Sequence, residues 1–273
     1  MAVLLCAAAS MFCANARCAD MAVDTLSIRF DATPGGTAQP MRTLDLQGTA
    51  AGACAPTLQG MTLDGTDISV ELHSPETGCD PAHPRAFHLR AELATNLGMA
   101  LLPGKVYRTR IFASKGSART LRGFQLLDTG SVDGAPRPEN GFWWSEGSPE
   151  TGPASPGSGA SFEWQDGQLA VGLYGFSETG ATTWSFGSAR LNGAIATVSL
   201  VQLSNGDPMF SPIGAKPVAA SGPRLDIELI SPTRARAWLI GTASNRALHV
   251  RPMILARSVF STGSLGSTWS GQW

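Results

Sequence analysis

The side chains best suited to ligand binding are the tryptophans, and all seven lie in the second half of the chain. Flat aromatic rings stack on sugar faces and on other apolar surfaces. The candidate binding residues are Trp144, Trp164, Tyr174 and Trp184. The alternative is an ordinary core, because each large aromatic side chain can bury about 150–250 Å².

Residues that could support hydrolysis are present, but their spacing fits no known catalytic motif. The chain has no Gly-x-Ser-x-Gly elbow, His-Glu-x-x-His pair or Gly-rich phosphate loop. A Ser-His-Asp site would need His249 with Asp226 or Asp207, and a glycosidase could use Glu163 and Glu178. Solvated carboxylates and a surface histidine are the favoured interpretation. No catalytic residue is predicted.

Two of the five cysteines, Cys54 and Cys79, form the only pair in the predicted mature body. In an oxidising compartment such a pair indicates a disulfide, which would stabilise the fold by about 3 kcal/mol in the chain-entropy model. The alternative is a metal site built from Cys79, Asp80, His83 and His88, with His73 nearby. That spacing fits no structural zinc pattern, so neither a metal nor a cofactor is predicted.

Residues 1–19 are predicted to be a signal peptide. An apolar run ends at Ala14-Asn15-Ala16, the small-x-small pattern of signal peptidase sites, and a second cut after Ala19 is compatible. The run is too short to span a bilayer. The alternative is a buried N-terminal strand. The predicted location is secreted or periplasmic.

Charge and hydropathy argue against two classes of protein, those that bind nucleic acid and those with a transmembrane helix. Charged residues make up 15% of the chain and the net charge is −1. No basic stripe that could hold phosphates is present, so nucleic acid is not a predicted partner. No later apolar run is long enough for a transmembrane helix, so no transmembrane segment is predicted.

The elements that position these side chains are predicted to be β-strands in two domains. Within residues 20–127, several sets of apolar residues at every second position are typical of half-buried antiparallel strands and, with one disulfide, predict a small β-sandwich domain. The alternating sets are Leu26, Ile28 and Phe30; Ile68, Val70 and Leu72; and Phe87, Leu89, Ala91 and Leu93; further strands are expected at 105–113 and 121–127. Residues 128–140, rich in Gly, Pro and Asp, predict a linker.

Residues 141–273 predict an antiparallel β-meander with about eight strands. These strands begin at Gly141 and are expected near 160–165, 169–176, 181–186, 195–203, 225–230, 235–241 and 247–256. Asp166-Gly167 supplies a tight hairpin turn. An eight-stranded meander can close into a barrel whose lumen holds side chains or one small ligand. Since adjacent residues on a strand face opposite sides, one of Trp143 and Trp144 is expected in the core and the other outside.

Two sets of motifs resemble known families. Gly141-Phe142-Trp143-Trp144, Gly157-Ser158-Gly159, Tyr174-x-Phe176 and Gly180-x-x-x-Trp184 resemble a β domain of uncharacterised secreted bacterial proteins, although Ser145-Glu146 replaces that domain's Asn-Pro. The region from Leu46-x-Gly48 to Leu101-Leu102-Pro103-Gly104 resembles an Ig-like module of secreted bacterial proteins. These resemblances imply a fold and a compartment. The run from Thr268 to Trp273 resembles the Thr-Trp-Ser-Gly-Gln run of avidin-type barrels, which implies biotin as an alternative ligand.

The expected function is that of an exported, non-catalytic binding protein that recognises glycan or another surface protein through an aromatic groove. One alternative is a hydrolase or hydrolase-accessory module, and another is a structural cell-surface component. Binding predicts an exposed aromatic groove. Hydrolysis predicts converging carboxylates or a histidine in a cleft, and a structural role predicts neither.

Overall fold

The computed structural model describes residues 25–33, 41–50, 54–75, 83–130, 134–148, 151–153, 157–177, 179–207, 210, 213–243 and 247–258. The regular structure in these ranges is almost entirely β, and the all-β fold class is confirmed. The predicted signal peptide, Cys79, Asp80, Glu178 and the run from Thr268 to Trp273 lie outside the described residues.

The chain divides into two compact units. One unit comprises 1–101, 108–125 and 244–247, and the other comprises 102–107, 126–243 and 248–273. The predicted domain boundaries after residues 127 and 140 stay predictions.

The first seven strands form two sheets. The elements are β1 Thr25–Thr33, β2 Met41–Ala50, β3 Thr57–Asp64, β4 Asp67–His73, β5 Arg85–Glu92, α1 Leu93–Leu97, β6 Val106–Lys115 and β7 Ala118–Asp128. One sheet has the order β1-β2-β5 and the other the order β3-β4-β6-β7. Strands β4 and β6 run parallel, whereas an Ig-type sandwich is built from antiparallel sheets. The Ig-like assignment stays a prediction.

Leu93, which the alternation placed on a strand, instead begins the short helix α1. The carboxylate of Glu92 accepts hydrogen bonds from the backbone N–H groups of Ala94 and Thr95, and Gly98 ends the helix with φ of 68°. Hydrogen bonding lowers the pKa of Glu92; the largest contribution comes from the side chain of Thr95, and the backbone N–H groups of Thr95 and Ala94 add to it. A side-chain cap therefore stops strand β5 one residue before the apolar pattern ends.

Cys54 is disulfide-bonded. Its predicted partner, Cys79, lies outside the described residues, so the Cys54–Cys79 pairing stays a prediction.

A polar cluster lies on one face of the β1-β2-β5 sheet. Asp45 is buried between Leu44 and Leu46, and its carboxylate lies 2.9 Å from Nε2 of His88 and 3.6 Å from Nε of Arg90. Hydrogen bonding to His88 is the main cause that lowers the pKa of Asp45 from its ordinary value of 3.8.

We expect His88→Leu to reduce the acid sensitivity of this unit. A carboxyl whose pKa is lowered by folding contributes stability above the unfolded value of 3.8 and loses it as pH falls through the folded pKa. Removing His88 raises the folded pKa of Asp45, so the variant is less stable than the wild type at pH 5 to 6, and the difference narrows as pH falls below 3.8. Urea unfolding across this range measures the difference. Arg90→Gln, which removes the smallest of the contributing causes, should show a weaker effect.

The second half of the chain forms a closed eight-stranded antiparallel barrel, as the sequence predicted. Its strands are β8 Gly141–Glu146, β9 Gly159–Gln165, β10 Gln168–Phe176, β11 Thr182–Arg190, β12 Ile195–Ser204, β13 Val218–Ser231, β14 Arg234–Thr242 and β15 Leu248–Arg257. Each strand pairs with the next along the chain, and β15 pairs with β8 to close the sheet. Closure leaves no edge strand.

The inward face of the barrel is packed with apolar side chains. Trp143 and Phe162 have ring centroids 4.7 Å apart, and the indole N–H of Trp143 donates to the carbonyl oxygen of Glu139. The buried members of this interior cluster are Trp143, Ala160, Phe162, Leu169, Val171, Ala196, Val198, Leu200, Leu225, Ile227, Leu229, Ala235, Ala237, Met253 and Leu255. Along each strand these positions alternate with outward ones, which is why apolar periodicity located the strands.

The predicted hairpin at Asp166-Gly167 is present. Asp166 has φ of 50° and Gly167 φ of 84°, and the flanking residues Gln165 and Gln168 pair across β9 and β10. Positive φ at both central residues is the requirement of a type I′ turn, whose twist suits an antiparallel hairpin.

Within the described part of the chain, no helix has the length and apolar character needed to cross a membrane.

Candidate functional site

Strand β8 presents one tryptophan to each face of the barrel wall. Trp143 is only 1% exposed and belongs to the interior cluster, whereas Trp144 is 37% exposed. Strand geometry requires this alternation, so the two adjacent rings have different roles.

The strand register brings three of the four predicted binding residues together. Trp144 on β8 pairs with Gly159 on β9, Gly159 with Tyr174 on β10, and Tyr174 with Trp184 on β11. We call Trp144, Gly159, Tyr174 and Trp184 the aromatic row. Tyr174 is 40% exposed and Trp184 50% exposed. With strands about 4.8 Å apart, the backbones of Trp144 and Trp184 lie up to about 14 Å apart.

A second row lies next to the first on the same outer face and contains two further exposed rings. Phe142 pairs with Ser161, Ser161 with Gly172, and Gly172 with Phe186. The Phe142 and Tyr174 centroids are 6.5 Å apart, and those of Trp184 and Phe186 are 5.8 Å apart. Phe142 and Phe186 were not among the binding residues predicted from the sequence. The sequence does contain the information needed to predict them. Phe142 is two residues from Trp144 and Phe186 is two residues from Trp184, and residues two apart on a strand lie on the same face.

Phe176 is a third exposed ring that the sequence analysis did not select. It pairs with Thr182 and lies two residues beyond Tyr174 on β10. A Cβ atom on Gly157 would lie only 2.9 Å from the Phe176 ring, so the ring packs directly against that glycine.

Glycine allows the rings to lie close to the barrel wall. A Cβ atom at Gly159 would lie 2.5 Å from the backbone oxygen of Trp143 and 3.3 Å from the ring of Trp144. At Gly172 it would lie 3.2 Å from the hydroxyl of Tyr174. The rings of Trp144 and Tyr174 therefore extend over glycine backbone that carries no side chain. As a result, the protein surface between the two rings lies close to the backbone of the barrel wall.

A groove of about 530 Å³ opens at one end of the aromatic row. It is lined by Gly157, Tyr174, Gly175, Phe176, Thr182, Thr183 and Trp184. The lining combines aromatic rings with hydroxyl groups and contains no Asp, Glu, Lys, Arg or His. Such a surface is suited to an uncharged ligand that offers both apolar faces and hydrogen-bonding groups.

The fourth predicted binding residue, Trp164, lies apart from this surface. Its ring packs against the interior cluster, and the guanidinium carbon of Arg137 lies 5.8 Å from the ring centroid. Alternation along β9 explains the position, because Trp164 shares the inward face of Ala160 and Phe162. Trp164 is therefore not one of the residues that form the outer aromatic surface.

The residues considered for hydrolysis are not brought together. Asp226, Trp238 and Pro252 form one cross-strand row, whereas His249 is three residues from Pro252 and therefore faces the opposite side of the wall. The carboxylate of Asp207 accepts three backbone N–H bonds from residues 213–215, which lower its pKa, the bond from Ala215 having the largest effect. Glu163 is exposed, and its proposed partner Glu178 lies outside the described residues.

Part of the outward face of β13 and β14 is buried and contains a charge pair. Asp226 on β13 is fully buried, and Arg224 donates to it at 3.0 Å. Burial raises the pKa of Asp226 above its ordinary value of 3.8, and the Arg224 charge opposes that rise. The nearby side chains Trp238, Ile240 and Ile254 are also buried. Among the described strands, the exposed aromatic rings lie on β8, β10 and β11.

Among the described residues, no group of three or more His, Cys, Asp or Glu side chains is placed to hold a metal ion. His88, one of the residues of the alternative metal site, instead contacts Asp45.

Searches against protein-family models, curated proteins and solved structures find no match to this chain.

Proposed function

We propose that this chain is an exported, non-catalytic binding protein that recognises a neutral glycan through the outer aromatic surface of its barrel. The observation that carries the proposal is the aromatic row, in which Trp144, Tyr174 and Trp184 are each more than one-third exposed on one face. Soluble proteins seldom expose large contiguous apolar patches without an interaction partner.

The chemistry of the surface favours a glycan over another surface protein. Neither the aromatic row nor the adjacent row contains Asp, Glu, Lys, Arg or His. Hydroxyl groups of Ser161, Tyr174 and Thr182 lie on the same face as the rings, and each can donate and accept hydrogen bonds. Sugars have apolar ring faces and hydroxyl edges, which match this combination. A protein partner would more typically meet a polar rim containing charged residues.

Export is supported by the small-x-small site at Ala14-Asn15-Ala16 and by the disulfide-bonded state of Cys54, since disulfides persist in oxidising compartments. The proposed location is therefore the periplasm or the extracellular space, where polysaccharides are accessible.

We expect Trp184→Ala to weaken glycan binding about tenfold or more, a factor that corresponds to roughly 1.4 kcal/mol. Trp184 is the most exposed ring of the row and lines the groove, so its removal takes away a stacking face and leaves the interior cluster intact. Binding is measured on an array of neutral and acidic glycans and by co-sedimentation with insoluble cellulose, xylan and mannan.

The matched control is Ile230→Ala. Ile230 is an exposed apolar residue on β13, which lies across the barrel from β9 in the strand order. This variant should bind as the wild type does. Failure of the folded wild type to bind any glycan, or equal affinity of Trp184→Ala and wild type, would refute the proposal. Selective binding of a protein would favour the surface-protein alternative.

A further inference from the structure

The direction of the aromatic row constrains the shape of the ligand, given the proposed function. The rings of Trp144, Tyr174 and Trp184 lie on three different strands at one level of the barrel, so the row crosses the strands. Its end residues lie up to about 14 Å apart at the backbone, which exceeds the width of one sugar ring. A ligand that contacts both end rings must therefore be an oligomer.

The surface between the rings is open across the strands. Strand β9 contributes Gly159 to the row, so no side chain stands between Trp144 and Tyr174. Along the strands the path is different. Beyond Phe186 the next outward residues of β11 are Ser188 and then Arg190, and the outward residue of β9 beyond Ser161 is Glu163. Toward that end of the strands the aromatic platform therefore stops at Phe142 and Phe186, whereas toward the other end it continues along β10 to Phe176.

The centre of the platform contains a pair of hydroxyl groups. The Tyr174 hydroxyl lies 3.3 Å from the Ser161 hydroxyl, and a Cβ atom on Gly172 would lie within 3.2 Å of the former. A hydroxyl group has one donor and two acceptor positions, so this pair retains capacity for bonds to a ligand. The central position thus combines a ring face with polar contacts, whereas Trp144 and Trp184 offer mainly ring faces.

We propose that the ligand is a linear, neutral oligosaccharide of at least three sugar units that lies across strands β8–β11. Its outer units stack on Trp144 and Trp184, and its central unit lies over Tyr174 and bonds to the hydroxyls of Tyr174 and Ser161. Tyr174 is accordingly a specificity-determining residue.

Calorimetric titration with mono- to hexasaccharides of glucose, xylose and mannose tests this inference. For the class of sugar bound in the array experiment, the trisaccharide should bind at least tenfold more tightly than the monosaccharide. Trp144→Ala should remove the gain produced by the third unit while leaving disaccharide binding within about twofold. Phe186→Ala removes a ring of the adjacent row whose exposure is similar to that of Trp144, and this variant should preserve the dependence on length. Tyr174→Phe should lower the affinity severalfold for every oligosaccharide that is long enough to contact Tyr174.

The outcomes separate the two proposals. A monosaccharide that binds as tightly as the trisaccharide, or loss of the length dependence in Phe186→Ala but not in Trp144→Ala, would overturn the crossing orientation while the glycan-binding function stands. If no oligosaccharide binds at any length although circular dichroism shows a folded wild type, the proposed function fails and the inference fails with it.

Discussion

Replacing Trp143 by alanine is expected to destabilise the barrel by about 3–5 kcal/mol, the range for truncating a buried large aromatic residue. Trp143 is 1% exposed and packs against Phe162 at a centroid distance of 4.7 Å. The change leaves a cavity in the interior cluster and removes the hydrogen bond to Glu139. Urea unfolding followed by circular dichroism measures the loss.

The neighbouring residue supplies the matched control. Trp144→Ala removes the same side chain from the outward face of the same strand, where the ring is 37% exposed. Its cost in unfolding free energy should be about 1 kcal/mol or less, because no interior cavity forms. Similar losses in the two variants would show that Trp144 is part of the core and would remove it from the binding surface. The pair therefore separates the core role of the aromatics from the binding role.

Removing Arg224 is expected to have the second large effect. Arg224→Met leaves Asp226 fully buried without its cationic partner, and an uncompensated buried charge is strongly destabilising. We expect a loss of about 3 kcal/mol at neutral pH, at the low end of the range for broken buried pairs. The low end applies because the Arg224 side chain is itself 32% exposed.

This loss should depend on pH in a defined direction. Burial raises the pKa of Asp226 above 3.8, so its contribution to stability is fully present below that value and is lost as pH rises through the folded pKa. Arg224 opposes the rise, so the pKa is higher still in Arg224→Met. The difference between variant and wild type should therefore be smallest below pH 3.8 and should grow toward neutral pH.

The double variant Arg224→Met/Asp226→Asn tests the cause. It removes the buried carboxylate, so it should recover most of the stability lost by Arg224→Met and abolish the pH dependence of that loss. Unfolding free energies in urea at acid and neutral pH measure both effects. A loss that stays constant with pH and persists in the double variant would show that packing of the Arg224 side chain, and not the charge of Asp226, is responsible.

The barrel strands could be predicted from sequence because each strand buries one face. Apolar residues at every second position located β9, β10 and β11, and Asp166-Gly167 located a hairpin. The other five barrel strands were expected near their observed positions, although β13 begins at Val218 and not near residue 225. Strands β2 and β3 carried weaker patterns. In β3 the register shifts between Leu58 and Gly60, which interrupts the alternation, and in β2 Asp45 is buried among apolar neighbours. Local bulges and buried polar pairs depend on partner strands, so they leave little trace in a single sequence.

The candidate site was predicted in part. The alternation on β8 required Trp143 and Trp144 to face opposite sides, and that on β9 placed Trp164 with Phe162, which would have excluded Trp164 from an outer surface. The same rule would have added Phe142, Phe176 and Phe186. Each inference needs only the geometry of one strand.

The amino-acid sequence by itself determined the approximate positions of the barrel strands, the hairpin at Asp166-Gly167 and the separation of Trp143 from Trp144, because these follow from local backbone geometry and from the burial of alternate residues. Only the tertiary structure decided that Trp144, Tyr174 and Trp184 form one row and that Asp226 is buried beside Arg224. Residues on different strands meet according to the pairing register. That register is set by the turns and by closure of the barrel, and therefore by the whole sheet.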